Sequence, residues 1–231
     1  MRETINHIVF GLYPYIAAAV FLAGSLIRFE RAQYSWRSGS SQIMRKDLLR
    51  LGSNCFHIGI LAILAGHFVG LLTPHEIYVA LGLSVPAKQL LAMVAGGAAG
   101  LLCFLGMAIL IYRRLGDPRV RATSSRMDIA ILLLLFAQLC LGLISIPVSA
   151  QHMDGGEMLK LSGWAQHIVT LRPGAADLIA DVHPVFKAHI ALGLTLFLLF
   201  PFSRLVHIWS VPFTYLIRPY QMVRRRRTRG V

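Results

Sequence analysis

Four histidines sit inside two long apolar runs, His57 and His67 in one, His189 and His207 in the other. An imidazole at membrane depth is costly unless it meets a partner. For any one of them the plain explanation is an interhelical hydrogen bond. Two per helix on two helices can instead hold two metal centres stacked at different depths, each gripped from both sides. Two imidazoles per level leave four coordination positions, which a porphyrin supplies and a bare zinc ion would need other residues to fill. No carboxylate lies inside the runs predicted to cross the membrane. Bis-histidine haem of the b type, with no open position for oxygen, suits electron transfer. The sequence has no Cys-x-x-Cys-His, which excludes the usual covalent haem attachment.

The elements that must position these histidines are legible from composition. Of 231 residues, 56% are hydrophobic, yet the net charge is +13, so apolar and basic residues must be segregated into spans and loops. Five stretches reach the roughly 20 residues that a helix needs to cross the hydrocarbon core: about Ile5 to Ile27, Leu51 to Thr73, Gln89 to Tyr112, Ile129 to Val148, and Ala188 to Ile208. The expected fold is an all-α integral membrane protein of five transmembrane helices, a single domain over 1–231 that ends in a basic tail over 209–231. Only Arg2 precedes the first run, while Arg28, Arg31, Arg37, Arg45, Lys46 and Arg50 follow it, which favours a retained span over a signal peptide. Arginines also cluster after the third and fifth runs. The positive-inside rule then puts the N-terminus in the periplasm and the C-terminus and its tail in the cytoplasm.

Charge topology orders the histidines. The second span runs outward and the fifth inward, which pairs His67 with His189 near the outside and His57 with His207 near the cytoplasm. At about 1.5 Å per residue, the step from His57 to His67 is roughly 15 Å and that from His189 to His207 roughly 27 Å. The longer step is close to five whole turns, so a continuous helix would point His189 and His207 the same way, with a kink at Pro201. Gly59, Gly66, Gly70 and Gly193 could leave space for a flat macrocycle, whereas Gly96 and Gly100 read as close helix packing. Arg204, three residues before His207, can reach a haem propionate or a lipid phosphate. His7, His75, His152, His167 and His183 fall at span ends or in outer loops and receive no ligand role.

Other features carry less chemistry. Residues Glu157 to Leu171 interleave apolar and polar side chains as an interfacial helix would, bounded by Gly155-Gly156 and Pro173-Gly174. Cys55, Cys103 and Cys140 are widely separated and predict no disulfide. The run Arg224 to Arg229 suits anionic lipid or a cytoplasmic partner subunit better than nucleic acid, and no nucleic-acid partner is expected.

Several runs are specific to one family: Tyr13-Pro-Tyr-Ile-Ala, Ser53-Asn-Cys-Phe-His-Ile-Gly-Ile, Gly66-His-Phe, Thr73-Pro-His75, Pro118-Arg-Val-Arg-Ala-Thr123, Pro147-Val-Ser-Ala-Gln-His-Met-Asp-Gly155 and Pro201-Phe-Ser-Arg-Leu-Val-His-Ile-Trp-Ser-Val-Pro212. With them the chain resembles the membrane gamma subunit of respiratory nitrate reductase from about Tyr13 to Tyr220, and it departs from that family after Pro86. The resemblance implies a multi-pass dihaem cytochrome b of the bacterial inner membrane. Such a subunit oxidises quinol, menaquinol or ubiquinol, near the outer surface and passes electrons to an iron–sulfur beta subunit and a molybdenum-containing alpha subunit, which reduces nitrate. It assigns the outer haem to His67 and His189 and the inner haem to His57 and His207, the pairing already given by charge and direction.

For quinol, the expected contacts are Lys88, whose ammonium can hydrogen-bond a quinone oxygen, and Gly66, which would let the ring approach His67. Lys88 could alternatively anchor at the interface. Two other readings stay open: a dihaem anchor of another respiratory oxidoreductase, and a non-redox metal-binding anchor or transporter.

Overall fold

The computed structural model describes residues 2–36 and 48–210. Five helices in it are long and apolar enough to cross a membrane: Glu3–Arg31, Leu49–Leu72, Val85–Gly116, Arg126–Ala150 and Pro184–Phe202. Among the described residues there is no strand. Arg37, Arg45, Lys46 and the expected tail beyond Ser210 lie outside the described residues.

The third and fourth helices overshoot their apolar cores because polar caps start them. Ser84 precedes the third, its hydroxyl accepting from the Ala87 N–H at 3.4 Å, and Pro86 fits the first turn. Lys88 is therefore part of the helix rather than of the loop before it. Ser125 and Asp128 form a reciprocal capping box at the fourth.

The fifth span departs from the continuous helix expected over 188–208. It is α-helical only over Pro184–Leu199, followed by a 3-10 turn at Phe200–Phe202, extended Ser203 (φ −116°, ψ 178°) and a second 3-10 segment, Arg204–Ser210. Pro201 has no N–H to give the Phe197 carbonyl, which instead accepts from the Phe200 N–H. The argument from whole turns fails here, and His207 reaches its place on a separate segment.

A second proline shapes the opposite end. Pro14 cannot donate to the Phe10 carbonyl, and the helix widens to a π turn over Ile8–Leu12. Trp164, on the helix Gly156–Val169, donates its indole N–H to that carbonyl at 2.9 Å. This helix occupies the stretch read as interfacial, but it is packed inward: Trp164, Ala165, Ala175, Ala176, Ile179 and Val182 form a buried cluster with Phe10. Gly155 (φ 77°) and Gly174 (φ 79°) take left-handed turns at its flanks.

The spans pack in the order first, fifth, fourth, third, second, forming an open arc. The second and third make the closest pair. At Gly59 a methyl group would lie 2.6 Å from the Cys103 nitrogen and 2.8 Å from the Ala99 oxygen, so Gly59 serves helix packing and not a macrocycle. Gly100 also packs, against Leu143, whereas a methyl at Gly96 would meet nothing within 4 Å, contrary to the packing role expected for it. Replacing Gly59 by Ala should lower the thermal midpoint of the detergent-purified protein, by about 1–3 kcal/mol of stability. Gly66→Ala in the same helix, facing open space, should leave the midpoint unchanged.

Candidate functional site

The arc brings the second and fifth spans to face one another without packing helix on helix, and the fourth span lies beside the cleft between them. Across that cleft the rings of His67 and His189 lie 6.0 Å apart between centroids, tilted by 33°. Two metal–imidazole bonds of about 2 Å, with the ring radii, span about 6 Å. The centroid separation is that of two imidazoles sharing one metal atom, while the His189 Nε2 is turned to Gln138 of the fourth span. A methyl at Gly66 or Gly70 would meet nothing within 4 Å, so neither glycine is a helix contact. Among the described residues no group of three or more His, Cys, Asp or Glu converges.

Hydrogen bonding fixes the tautomers. His67 donates its Nδ1–H to the Ile63 carbonyl at 2.9 Å, His57 to the Ser53 carbonyl at 2.7 Å, and His207 to the Arg204 carbonyl at 2.6 Å. Each such bond leaves Nε2 with a free lone pair, the state a metal requires. His189 is the exception. Its Nδ1 is buried without a partner, and its Nε2 lies 3.3 Å from the side-chain nitrogen of Gln138 on the fourth span. Gly193, expected to make room for a macrocycle, makes room for Gln138: a methyl there would sit 3.2 Å from the amide nitrogen.

His57 and His207 lie toward the end of the bundle where Arg28, Arg31, Arg50, Arg113, Arg114, Arg126 and Arg204 gather. Among the described residues no ring contact joins these two histidines. The segment that carries His207 is held by Arg28, whose guanidinium donates to the carbonyls of Pro201 and Ser203, both at 2.7 Å. The Leu205 N–H, which a continuous helix would give to the Pro201 carbonyl, goes to the Ser203 hydroxyl, and Arg28 donates to that carbonyl in its place. A methyl at Gly24 would lie 2.8 Å from the Pro201 ring, and Phe21 packs edge-on against Phe197 and Phe200. Sequence reading took Arg28 only as a topology marker; its four-residue spacing from Gly24, facing a proline, was the available signal.

Arg204 stands on the same side of the 3-10 segment as His207, since residues three apart eclipse there. It is half-buried beside Asp128, and burial holds its guanidinium below the ordinary arginine value while Asp128 opposes that shift.

Lys88 is buried at 5% exposure, its Nζ 3.8 Å from the centroid of the Tyr78 ring. The Tyr78 hydroxyl donates to the Val69 carbonyl at 2.7 Å, which ties Lys88 to the turn just after His67. Next to it, Gln89 donates to the Ser149 and His152 carbonyls, both at 2.9 Å. Lys88 is thus built into the protein rather than extended to the surface.

Three of the five remaining histidines have local partners. His7 meets Asp177 at 3.3 Å, His167 donates to the Pro173 carbonyl, and His183 caps the fifth helix by accepting from the Val185 N–H. All three cysteines are free.

Fold and cleft define a multi-pass membrane protein with an imidazole pair poised across an interhelical gap. The nitrate reductase gamma subunit family matches residues 6–226, and the chain belongs to that family. It is 56% identical to respiratory nitrate reductase 1 gamma chain of Escherichia coli, over 97% of this chain and 99% of the relative. It is 53% identical to the respiratory nitrate reductase 2 gamma chain of the same organism, over 98% and 100%. The nitrate reductase gamma chain of Bacillus subtilis is 38% identical over 96% and 99%.

Arg28→Met should remove the side-chain donor from the Pro201 and Ser203 carbonyls. Hydrogen exchange should then accelerate by about tenfold or more across residues 200–210, since loss of a bond to a charged group is worth about 1.5–3 kcal/mol, while 184–199 stays protected. Equal protection of both stretches in the variant would remove Arg28 from this role.

Proposed function

We propose that this chain is the quinol-oxidising dihaem cytochrome b subunit of a respiratory nitrate reductase, set in the bacterial inner membrane with its N-terminus periplasmic and its C-terminus cytoplasmic. The observation that supports this most is the His67–His189 pair, 6.0 Å apart across the cleft at the end of the bundle opposite the arginines, in a chain of the gamma subunit family. His67 and His189 would hold the outer haem, His57 and His207 the inner one. When bound, the haems would supply a one-electron relay from quinol to an iron–sulfur beta subunit, which feeds a molybdenum-containing alpha subunit where nitrate is reduced.

The chain's own residues do the positioning. Backbone carbonyls of Ser53, Ile63 and Arg204 take the Nδ1–H of His57, His67 and His207, turning Nε2 of each toward a ligand. Lys88 lies over the face of Tyr78, and its side-chain nitrogen has N–H groups to give a quinol oxygen. Gly66 leaves that approach open. Protons released there leave on the side of Glu76, Asp154 and Glu157, away from the arginines. Menaquinol and ubiquinol present the same oxygen chemistry to Lys88. At the other end Arg204 would meet a haem propionate or a lipid phosphate, and the arginine-rich face would dock the beta subunit.

Replacing His67 or His189 should remove the outer haem's absorption signal and quinol oxidation together; an intact two-haem spectrum in either variant would sink the assignment. Lys88→Ala should keep both haems while weakening a quinol-analogue inhibitor about tenfold, the equivalent of about 1.4 kcal/mol. Unchanged inhibitor affinity would reduce Lys88 to an anchor.

A further inference from the structure

Three of the four histidines follow one pattern, Nδ1–H bonded to a main-chain carbonyl on their own helical segment. His189 does not, and two buried atoms at its ring lack partners: its own Nδ1 and the Oε1 of Gln138. An unpartnered polar atom in an apolar interior costs about 1–3 kcal/mol. Here two complementary ones, a ring N–H and an amide oxygen, belong to side chains already touching at 3.3 Å through their nitrogens. Half a turn of the amide about its last side-chain bond turns Oε1 to the ring, and half a turn of the imidazole moves Nδ1 to the place of Cδ2, the neighbour of Nε2, and Nε2 to the place of Cε1.

We infer that Gln138 is a positioning residue for His189, its Oε1 accepting the Nδ1–H so that Nε2 keeps its lone pair for a ligand. The inference rests on the reading of His189 as a haem ligand. Gln138 stands in the fourth span among leucines and isoleucines, where a neutral amide has little other use. The space around the pair is shaped for it. A methyl at Gly193 would lie 3.2 Å from the amide nitrogen, and one at Gly142 3.1 Å from the His189 ring. A larger residue at either position would push amide or ring aside. Gln138 thereby does for His189 what carbonyls within the helical segments do for the other three.

An acceptor on Nδ1–H makes an imidazole more electron-donating, which favours the more positive state of a bound iron. The sign of the effect therefore depends on acceptor strength, which a purely space-filling residue would not reproduce. The experiment is optical redox titration and low-temperature electron paramagnetic resonance of the whole membrane complex carrying Gln138→Leu or Gln138→Glu. Leucine should raise the midpoint potential of the outer haem and glutamate should lower it, with the outer low-spin resonance moved in both and the inner haem unchanged. An outer haem unmoved in Gln138→Leu, or moved the same way in both variants, overturns the inference. Should the leucine variant lose the outer haem, Gln138→Glu decides alone: a retained haem at lowered potential supports the role, and any other result overturns it. A wild-type complex without two b-type signals would instead overturn the haem assignment.

Discussion

In hydrocarbon every backbone carbonyl that loses its helical donor must find another, and this constraint organises both ends of the protein. Prolines create the vacancies. Pro14 frees the Phe10 carbonyl, and the indole of Trp164 takes it, pinning the helix Gly156–Val169 and its buried cluster onto the first span. Pro201 ends the fifth α-helix, and Arg28 donates to the Pro201 and Ser203 carbonyls at the break. The first span thus receives a donor at one end and gives one at the other, with the Tyr13–Thr195 hydroxyl contact at 3.0 Å between.

Those attachments position the chemistry. The fifth span carries one histidine on each side of its break, so holding the break against Arg28 fixes where His207 stands, while the helix before it fixes His189. The second span is held differently, by backbone contact with the third through Gly59. Its histidines, His57 and His67, are both exposed. Because the second and fifth spans are each secured to other neighbours, they need not pack on one another, and a cleft remains for the His67–His189 pair.

Much of this was legible in the chain. The five spans, the antiparallel alternation and the nearness of His67 to His189 follow from apolar length, arginine placement and residue direction. The helix Gly156–Val169 was visible from its glycine ends and mixed pattern, but not its burial, because an amphipathic face reads alike whether it meets lipid or protein. The fifth span was misjudged: hydropathy stays high through Pro201, and hydropathy does not register a missing N–H. Gln138 escaped notice because a single amide in an apolar run has no spacing signature.

What the sequence by itself determined is set by properties that each residue carries locally: apolarity over about 20 positions, charge, and the metal affinity of imidazole. Tertiary structure alone decided which glycines are contact points and which are open, that Lys88 lies buried on Tyr78, and that Arg28 and Gln138 serve histidine-bearing segments of the fifth span. These depend on which atoms of distant segments meet within hydrogen-bond or van der Waals reach, a relation between spans that no one stretch of chain contains.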